Sequence, residues 1–144
     1  MILSQTSSYA VRAMVHLADV GDGTPTKVDD IARELEVPRN YLSKILHTLA
    51  RAGFLSSMRG PGGGFTMLRQ PSSIRLLDII RQFDGRESEH ACLMGNKPCE
   101  EDHPCAAHDR WAVVKSQVLT FLSETTILDL LASQRHTAPP TDPG

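Results

Sequence analysis

Residues 59–65 read Arg-Gly-Pro-Gly-Gly-Gly-Phe, and their composition restricts the local backbone more than that of any other stretch of the chain. Its four glycines and one proline exclude a helix and permit a tight turn with positive backbone dihedrals. The flanking runs, Phe54–Met58 and Phe65–Leu68, have the length and the residue types of short strands. The stretch therefore predicts a β-hairpin with Arg59 at its neck.

A glycine-rich turn can also hold a nucleotide phosphate, but this loop lacks the Gly-Lys-Ser/Thr ending and no helix opens directly behind it. An arginine at the neck of a small hairpin can instead enter a narrow minor groove of DNA, where the negative potential is concentrated. We therefore interpret the hairpin as a wing. Its candidate DNA-binding residues are Arg59, Gly60, Pro61 and Gly62.

Two short helices joined by a tight turn are predicted upstream of the hairpin. Apolar residues at helical spacing form one face of the first helix, and Thr26–Asp29 has the pattern of a capping box at its start. The helix ends at Glu36-Val37 because a residue before proline is pushed out of the helical region. The second helix runs from Pro38 to Ala52, and its inner stripe consists of Leu42, Ile45, Leu46 and Leu49.

The outer face of the second helix carries polar and basic side chains, concentrated in its first half. This arrangement is typical of a helix-turn-helix whose second helix enters the major groove. The alternative to DNA binding is a helical hairpin whose polar face is simply exposed to solvent. The wing that follows favours the DNA-binding interpretation. The candidate DNA-binding residues on this helix are Arg39, Asn40, Ser43 and Lys44.

The charge distribution supports a nucleic-acid partner even though the net charge of the chain is −2. Residues 1–82 carry 10 Lys+Arg against 7 Asp+Glu, whereas residues 83–144 carry 5 against 10. No acidic residue occurs between Arg39 and Arg69. Such a local basic surface is what contacts to phosphates require.

All three cysteines lie within residues 92–105, spaced Cys-x6-Cys-x5-Cys, and His108 follows the last by three residues. Thiolates and imidazole can close around a metal ion or an iron–sulfur cluster. An odd number of cysteines in a reducing compartment makes a disulfide framework a poor explanation. The spacing alone leaves open a structural zinc ion, a cluster and a metal-free thiol switch.

Three segments resemble the Rrf-type family of bacterial winged-helix regulators. They are Tyr9-Ala10-Val11-Arg12-Ala13, the Tyr41-Leu42 and Ile45-Leu46 pairs, and residues 59–65. The resemblance covers residues 1 to about 131. It implies a homodimer that binds pseudo-palindromic, double-stranded promoter DNA.

The resemblance also implies that the cysteine segment holds an iron–sulfur cluster, with [2Fe-2S] favoured over [4Fe-4S]. The implied ligands are Cys92, Cys99, Cys105 and His108, and His103 is a weaker candidate. The expected function is a transcriptional regulator, acting as a repressor, that senses cluster or iron status, nitric oxide or redox state. A zinc-stabilised or thiol-switched winged-helix regulator without a cluster is the alternative.

A long helix is predicted after the cysteine segment, with an apolar stripe from Ala107 to Leu122 that a second chain would partly bury. No run of 18 apolar residues and no signal-peptide pattern occur, so we expect a cytoplasmic protein without membrane contact. No acid/base constellation accompanies the cysteines, so an enzyme is not expected.

Together these patterns predict a mainly α fold with a small β-hairpin wing, in which a winged helix-turn-helix is followed by a long C-terminal dimerisation helix. The predicted division is a DNA-binding domain at 1–84, a cluster-binding loop at 85–108, a dimerisation helix region at 109–133 and a disordered tail at 134–144.

Overall fold

The computed structural model describes residues 3–86, 89 and 107–137. The predicted fold class, mainly α with a hairpin wing, is confirmed in these ranges. The helices are α1 (Gln5–Val20), α2 (Val28–Leu35), α3 (Arg39–Arg51), α4 (Leu76–Asp84), α5 (His108–Glu124) and α6 (Ile127–Thr137), and the strands are β1 (Leu55–Met58) and β2 (Gly64–Met67).

Helix α1 runs through the centre of the fold and packs against α2, α3, α4, α6 and β2. Its first turn is capped by Ser4, whose Oγ accepts a hydrogen bond from the Ser7 amide at 3.1 Å. Its last turn ends at Gly21, which adopts a left-handed conformation with φ 63° that glycine accepts without strain. The small Ala10 and Ala13 are fully buried, which lets neighbouring helices approach α1 closely.

Helices α2 and α3 form the predicted helix-turn-helix. Between them, Glu36 is left-handed and Val37 is buried, so the chain turns sharply before Pro38. The predicted capping box at Thr26–Asp29 is wrong. The N-cap residue is Lys27, which makes no side-chain capping bond, while Thr26 pairs through its backbone with Phe65 of β2.

The wing is an antiparallel hairpin in the register Leu55–Met67, Ser56–Thr66, Ser57–Phe65 and Met58–Gly64. The Gly63 amide donates to the Gly60 carbonyl at 2.9 Å and closes the turn. Thr26 and Phe65 exchange two backbone hydrogen bonds of 3.0 and 2.9 Å. These bonds attach the wing to the start of α2, so the wing and the helix-turn-helix form one unit.

The C-terminal helices α5 and α6 pack against the N-terminal part of the chain. The Leu76 amide donates to the Thr125 carbonyl and the Ile127 amide donates to the Ile74 carbonyl, at 3.0 and 2.9 Å, which joins the α5–α6 turn to the start of α4. Helix α6 then packs on α1 and buries Ile127 and Leu131 in the core of its own chain.

Helix α6 reaches Thr137 and therefore overlaps the predicted tail at 134–144. Its Arg135 forms an ion pair of 3.1 Å with Asp19 of α1. The remainder of the predicted tail, 138–144, lies outside the described residues. No helix of the described ranges is both long and apolar enough to cross a lipid bilayer.

Candidate functional site

The outward face of α3 carries the predicted base-reading residues. Asn40 and Lys44 are exposed and Ser43 is half-buried, while the inner stripe of four apolar side chains is buried. Residues 40, 43 and 44 share one face of the helix because they are three or four positions apart. Their amide, hydroxyl and ammonium groups therefore project together from the surface.

Arg39 begins α3 and lies at the edge of this face. Its Nε donates to the Asp29 carboxylate of α2, and the two side chains are 58% and 60% exposed. An exposed ion pair of this kind contributes little free energy in water. Arg39 can therefore exchange Asp29 for a DNA phosphate at small cost.

His47 lies on the same face, one helical turn beyond Ser43 and Lys44, and it was not among the predicted DNA-binding residues. Its imidazole is exposed and meets the ring of Phe65 edge-on, with 5.3 Å between the ring centroids. Phe65 is 3% exposed and belongs to β2. This contact places the wing strand directly beside α3. In the sequence, the seven residues from Asn40 to His47 correspond to two helical turns, and this spacing places both side chains on the same face of α3.

The turn of the wing holds Arg59, Gly60, Pro61 and Gly62, all of them exposed. Gly60 and Gly62 have φ of 89° and 77°, in the left-handed region that glycine favours. Within the described part of the chain, Arg59 forms no ion pair. Its guanidinium is thus available to a phosphate or a groove.

Aromatic contacts fix α3 against α1. Tyr9 and Tyr41 meet edge-on with 5.7 Å between their centroids, and the Tyr41 hydroxyl is hydrogen bonded to Thr6. The Arg12 guanidinium donates to the Leu35 carbonyl at 2.8 Å and so holds the end of α2 as well. These contacts orient the helix-turn-helix relative to the core.

The predicted ligands Cys92, Cys99 and Cys105, together with His103, lie outside the described residues. His108 is described and is the first residue of α5. Its Nδ1 is buried and has no hydrogen-bond partner among the described groups. A buried imidazole nitrogen without a partner fits a ligand position, because burying a polar atom unpaired costs free energy.

An ion pair marks where the chain enters the cysteine segment. Glu89 is 6% exposed, and its two carboxylate oxygens accept hydrogen bonds from Arg81 of α4 at 2.5 and 3.2 Å. The bond to Glu89 raises the pKa of Arg81 above its ordinary value. Arg81 therefore stays protonated, and its two hydrogen bonds hold residue 89 against α4.

Comparisons with known proteins agree with this geometry. A family profile described as Rrf2, iron-dependent transcriptional regulator, matches residues 3–133. A protein of Aquifex aeolicus with the provisional name HTH-type transcriptional regulator is 37% identical over 142 residues, which cover 96% of this chain and 98% of its own.

Two solved structures are similar over almost the whole chain. CymR, the global cysteine regulator of B. subtilis, superimposes with a TM-score of 0.77 at 27% identity and covers 92% of this chain and 98% of its own. IscR of T. potens has a TM-score of 0.75 at 25% identity and covers 99% and 94%.

Proposed function

Because the chain belongs to the Rrf2 family of transcriptional regulators, we propose that it is a homodimeric repressor whose affinity for pseudo-palindromic promoter DNA is controlled by an iron–sulfur cluster. The DNA-binding part of this proposal is supported by the polar face of α3 beside the wing. The sensing part is supported by the buried Nδ1 of His108, which has no hydrogen-bond partner among the described residues.

Helix α3 supplies the contacts in the major groove. Asn40 and Ser43 present donors and acceptors to base edges, and Lys44 reaches a base edge or a phosphate. Arg39 exchanges Asp29 for a phosphate at the rim of the groove. Because α1 fixes the position of α3 through Tyr41, the phosphate contacts set the register in which the bases are read.

The wing supplies a contact in the adjacent minor groove. Arg59 enters the groove, and the glycines beside it carry no side chain that would keep the backbone away from the phosphates. Pro61 limits the conformations of the turn. Gly60, Pro61 and Gly62 therefore position the backbone while Arg59 provides the charge.

The wing contact is tested with an Arg59→Ala variant. We expect the variant to bind operator DNA about tenfold more weakly, or worse, with an unchanged unfolding midpoint, because the side chain is exposed. Arg135→Ala is the matched control, since it removes an exposed arginine at the far end of the chain. Equal affinities of Arg59→Ala and the control in a gel-shift titration would refute the wing contact.

The proposed cluster ligands are Cys92, Cys99, Cys105 and His108. Thiolates suit iron because they are soft, strongly donating ligands, and a histidine as fourth ligand leaves the site able to respond to protonation and oxidation. When bound, the group supplies a reactive centre for iron, redox or nitric oxide signals. His108 is the first residue of α5, and Glu89, which precedes the cysteines, is bound to Arg81 of α4.

The cluster is tested by the visible absorption and the iron and sulfide content of protein purified without oxygen. We expect brown wild-type protein, and we expect Cys99→Ala to lose iron and sulfide. His108→Ala should lose the cluster or shift its absorption, whereas His103→Ala, the matched control, should not. The iron-to-protein ratio separates [2Fe-2S], which we favour, from [4Fe-4S].

Colourless protein with one zinc per chain would replace the sensor with a structural zinc site. Metal-free protein whose DNA affinity follows the oxidation of its cysteines would make it a thiol switch. Either result would refute the cluster and leave the DNA-binding proposal standing.

A further inference from the structure

A pocket of about 430 Å³ lies beside α4, where the end of α3 and the base of the wing meet it. Arg69, Arg81 and Arg86 account for three of its seven lining residues, and Asp78 is the single carboxylate among them. The volume is in the range of small-molecule sites. None of these residues is among the candidate DNA-binding residues named above or among the proposed cluster ligands.

Two of the three arginines around the pocket are held in place. The guanidinium carbon of Arg69 lies 4.6 Å from the ring centroid of Phe54, a cation–π contact with a ring that is 3% exposed. Arg81 is fixed by hydrogen bonds from its Nε and Nη2 to Glu89, and its Nη1 makes no hydrogen bond to another described residue. Guanidinium groups held in this way lose little entropy when they bind a ligand.

Charge and chemistry together define the ligand class. Because Glu89 already binds Arg81, the three guanidinium groups and the carboxylates of Asp78 and Glu89 leave an excess of one positive charge around the pocket. Guanidinium pairs best with carboxylate and phosphate, to which it can donate two parallel hydrogen bonds. We propose that this pocket binds a small oxyanion, such as a carboxylate or a phosphate compound.

Arg81 connects the pocket to the segment that precedes the cysteines, since its guanidinium binds Glu89 and also lines the pocket. A bound anion and the Glu89 carboxylate therefore compete for one cation. By linkage, weakening the bond from Glu89 must strengthen anion binding. This consequence can be measured without DNA and does not depend on the proposed function.

The proposal is tested by calorimetric titration of the full-length protein with succinate, inorganic phosphate and pyrophosphate, against chloride at equal ionic strength. We expect saturable binding of at least one probe at one site per chain. Arg69→Gln and Arg86→Gln should each weaken it about tenfold. Asp78→Asn and Glu89→Gln should strengthen it several-fold, because they remove a repelling and a competing carboxylate.

The matched controls are Arg33→Gln and Asp30→Asn, which make the same charge changes on the exposed surface of α2. They should leave binding unchanged. The pocket is refuted if no probe saturates, or if Arg86→Gln, an exposed position that the fold tolerates, binds like wild type. The operator affinities of Arg69→Gln and Arg86→Gln are also measured in buffer without these anions. If both variants bind the operator as weakly as Arg59→Ala does, the arginines contact DNA and the pocket is refuted.

Discussion

At the scale of single residues, Gly62 and Gly64 of the wing differ in what surrounds them. Both have positive φ, 77° and 148°. A Cβ atom on Gly64 would lie 2.4 Å from the Thr26 carbonyl oxygen, whereas a Cβ on Gly62 would meet nothing within 4 Å. Gly64 thus allows the close approach of the wing to the start of α2, and Gly62 serves the turn alone.

We predict that Gly64→Ala destabilises the fold more than Gly62→Ala does. Gly62→Ala should cost about 1 kcal/mol for its left-handed backbone. Gly64→Ala should cost about 2–3 kcal/mol, because a backbone clash is added to the strain. Urea unfolding of both variants measures the difference, and equal losses of stability would contradict the close approach.

At the scale of helices, Asp84 at the end of α4 holds the first turn of α1. Its carboxylate accepts hydrogen bonds from the Ser4 amide at 3.3 Å, from the Ser4 hydroxyl at 2.5 Å and from the Ser7 hydroxyl at 2.9 Å. Ser7 is fully buried. The negative charge of Asp84 also lies at the N-terminus of α1, where it is attracted by the positive end of the helix dipole.

Asp84→Ala should lower the free energy of unfolding by about 1–3 kcal/mol, because the buried Ser7 hydroxyl loses its partner. Asp30→Ala removes an exposed carboxylate of α2 and should change stability by less than about 0.5 kcal/mol. Thermal or urea unfolding compares the two variants. Similar small effects would mean that Asp84 does not support α1.

The sequence predicted those elements whose signals are local. Helical spacing of apolar residues located α2 and α3, and the glycine-rich turn located the wing. The capping box failed because Thr26 pairs with Phe65, which is far away in sequence. The extension of α6 was missed for the same reason, since packing on α1 and the Arg135–Asp19 pair stabilise it.

The candidate site was predictable to a similar extent. Periodicity placed Asn40, Ser43 and Lys44 together on α3, as the structure has them. No local pattern could show that Arg39 pairs with Asp29 or that Arg81 holds a buried Glu89, because both pairs join side chains across turns of the folded chain. Whether the cysteines meet His108 stays a prediction.

Over the whole molecule, α5 is the helix that buries the fewest side chains among the residues that the structure describes. Of its described residues only Leu122 is buried, while Val113, Val114 and Phe121 are 59%, 46% and 54% exposed. Val114 and Phe121 are seven positions apart and share one face. We therefore expect a second copy of the chain to cover this face.

Phe121→Glu should shift the dimer towards monomer by tenfold or more in dissociation constant, because it places a charge in an apolar interface. Ser116→Glu adds the same charge on the other side of α5 and should leave the dimer intact. Sedimentation velocity measures both. If the Phe121→Glu protein stays dimeric, the dimer interface must lie on another surface of the chain.

In the regulator that we propose, the cysteine segment controls the affinity for DNA. The DNA for the test is a duplex that the protein itself has selected from a pool of random sequences. This duplex is titrated in parallel with cluster-loaded and cluster-free protein. The iron and sulfide content of each preparation is measured as well. A coupled regulator should show operator affinities that differ by about tenfold or more between the two forms. Equal affinities, with the cluster present in one form and absent from the other, would show that the cluster does not control DNA binding.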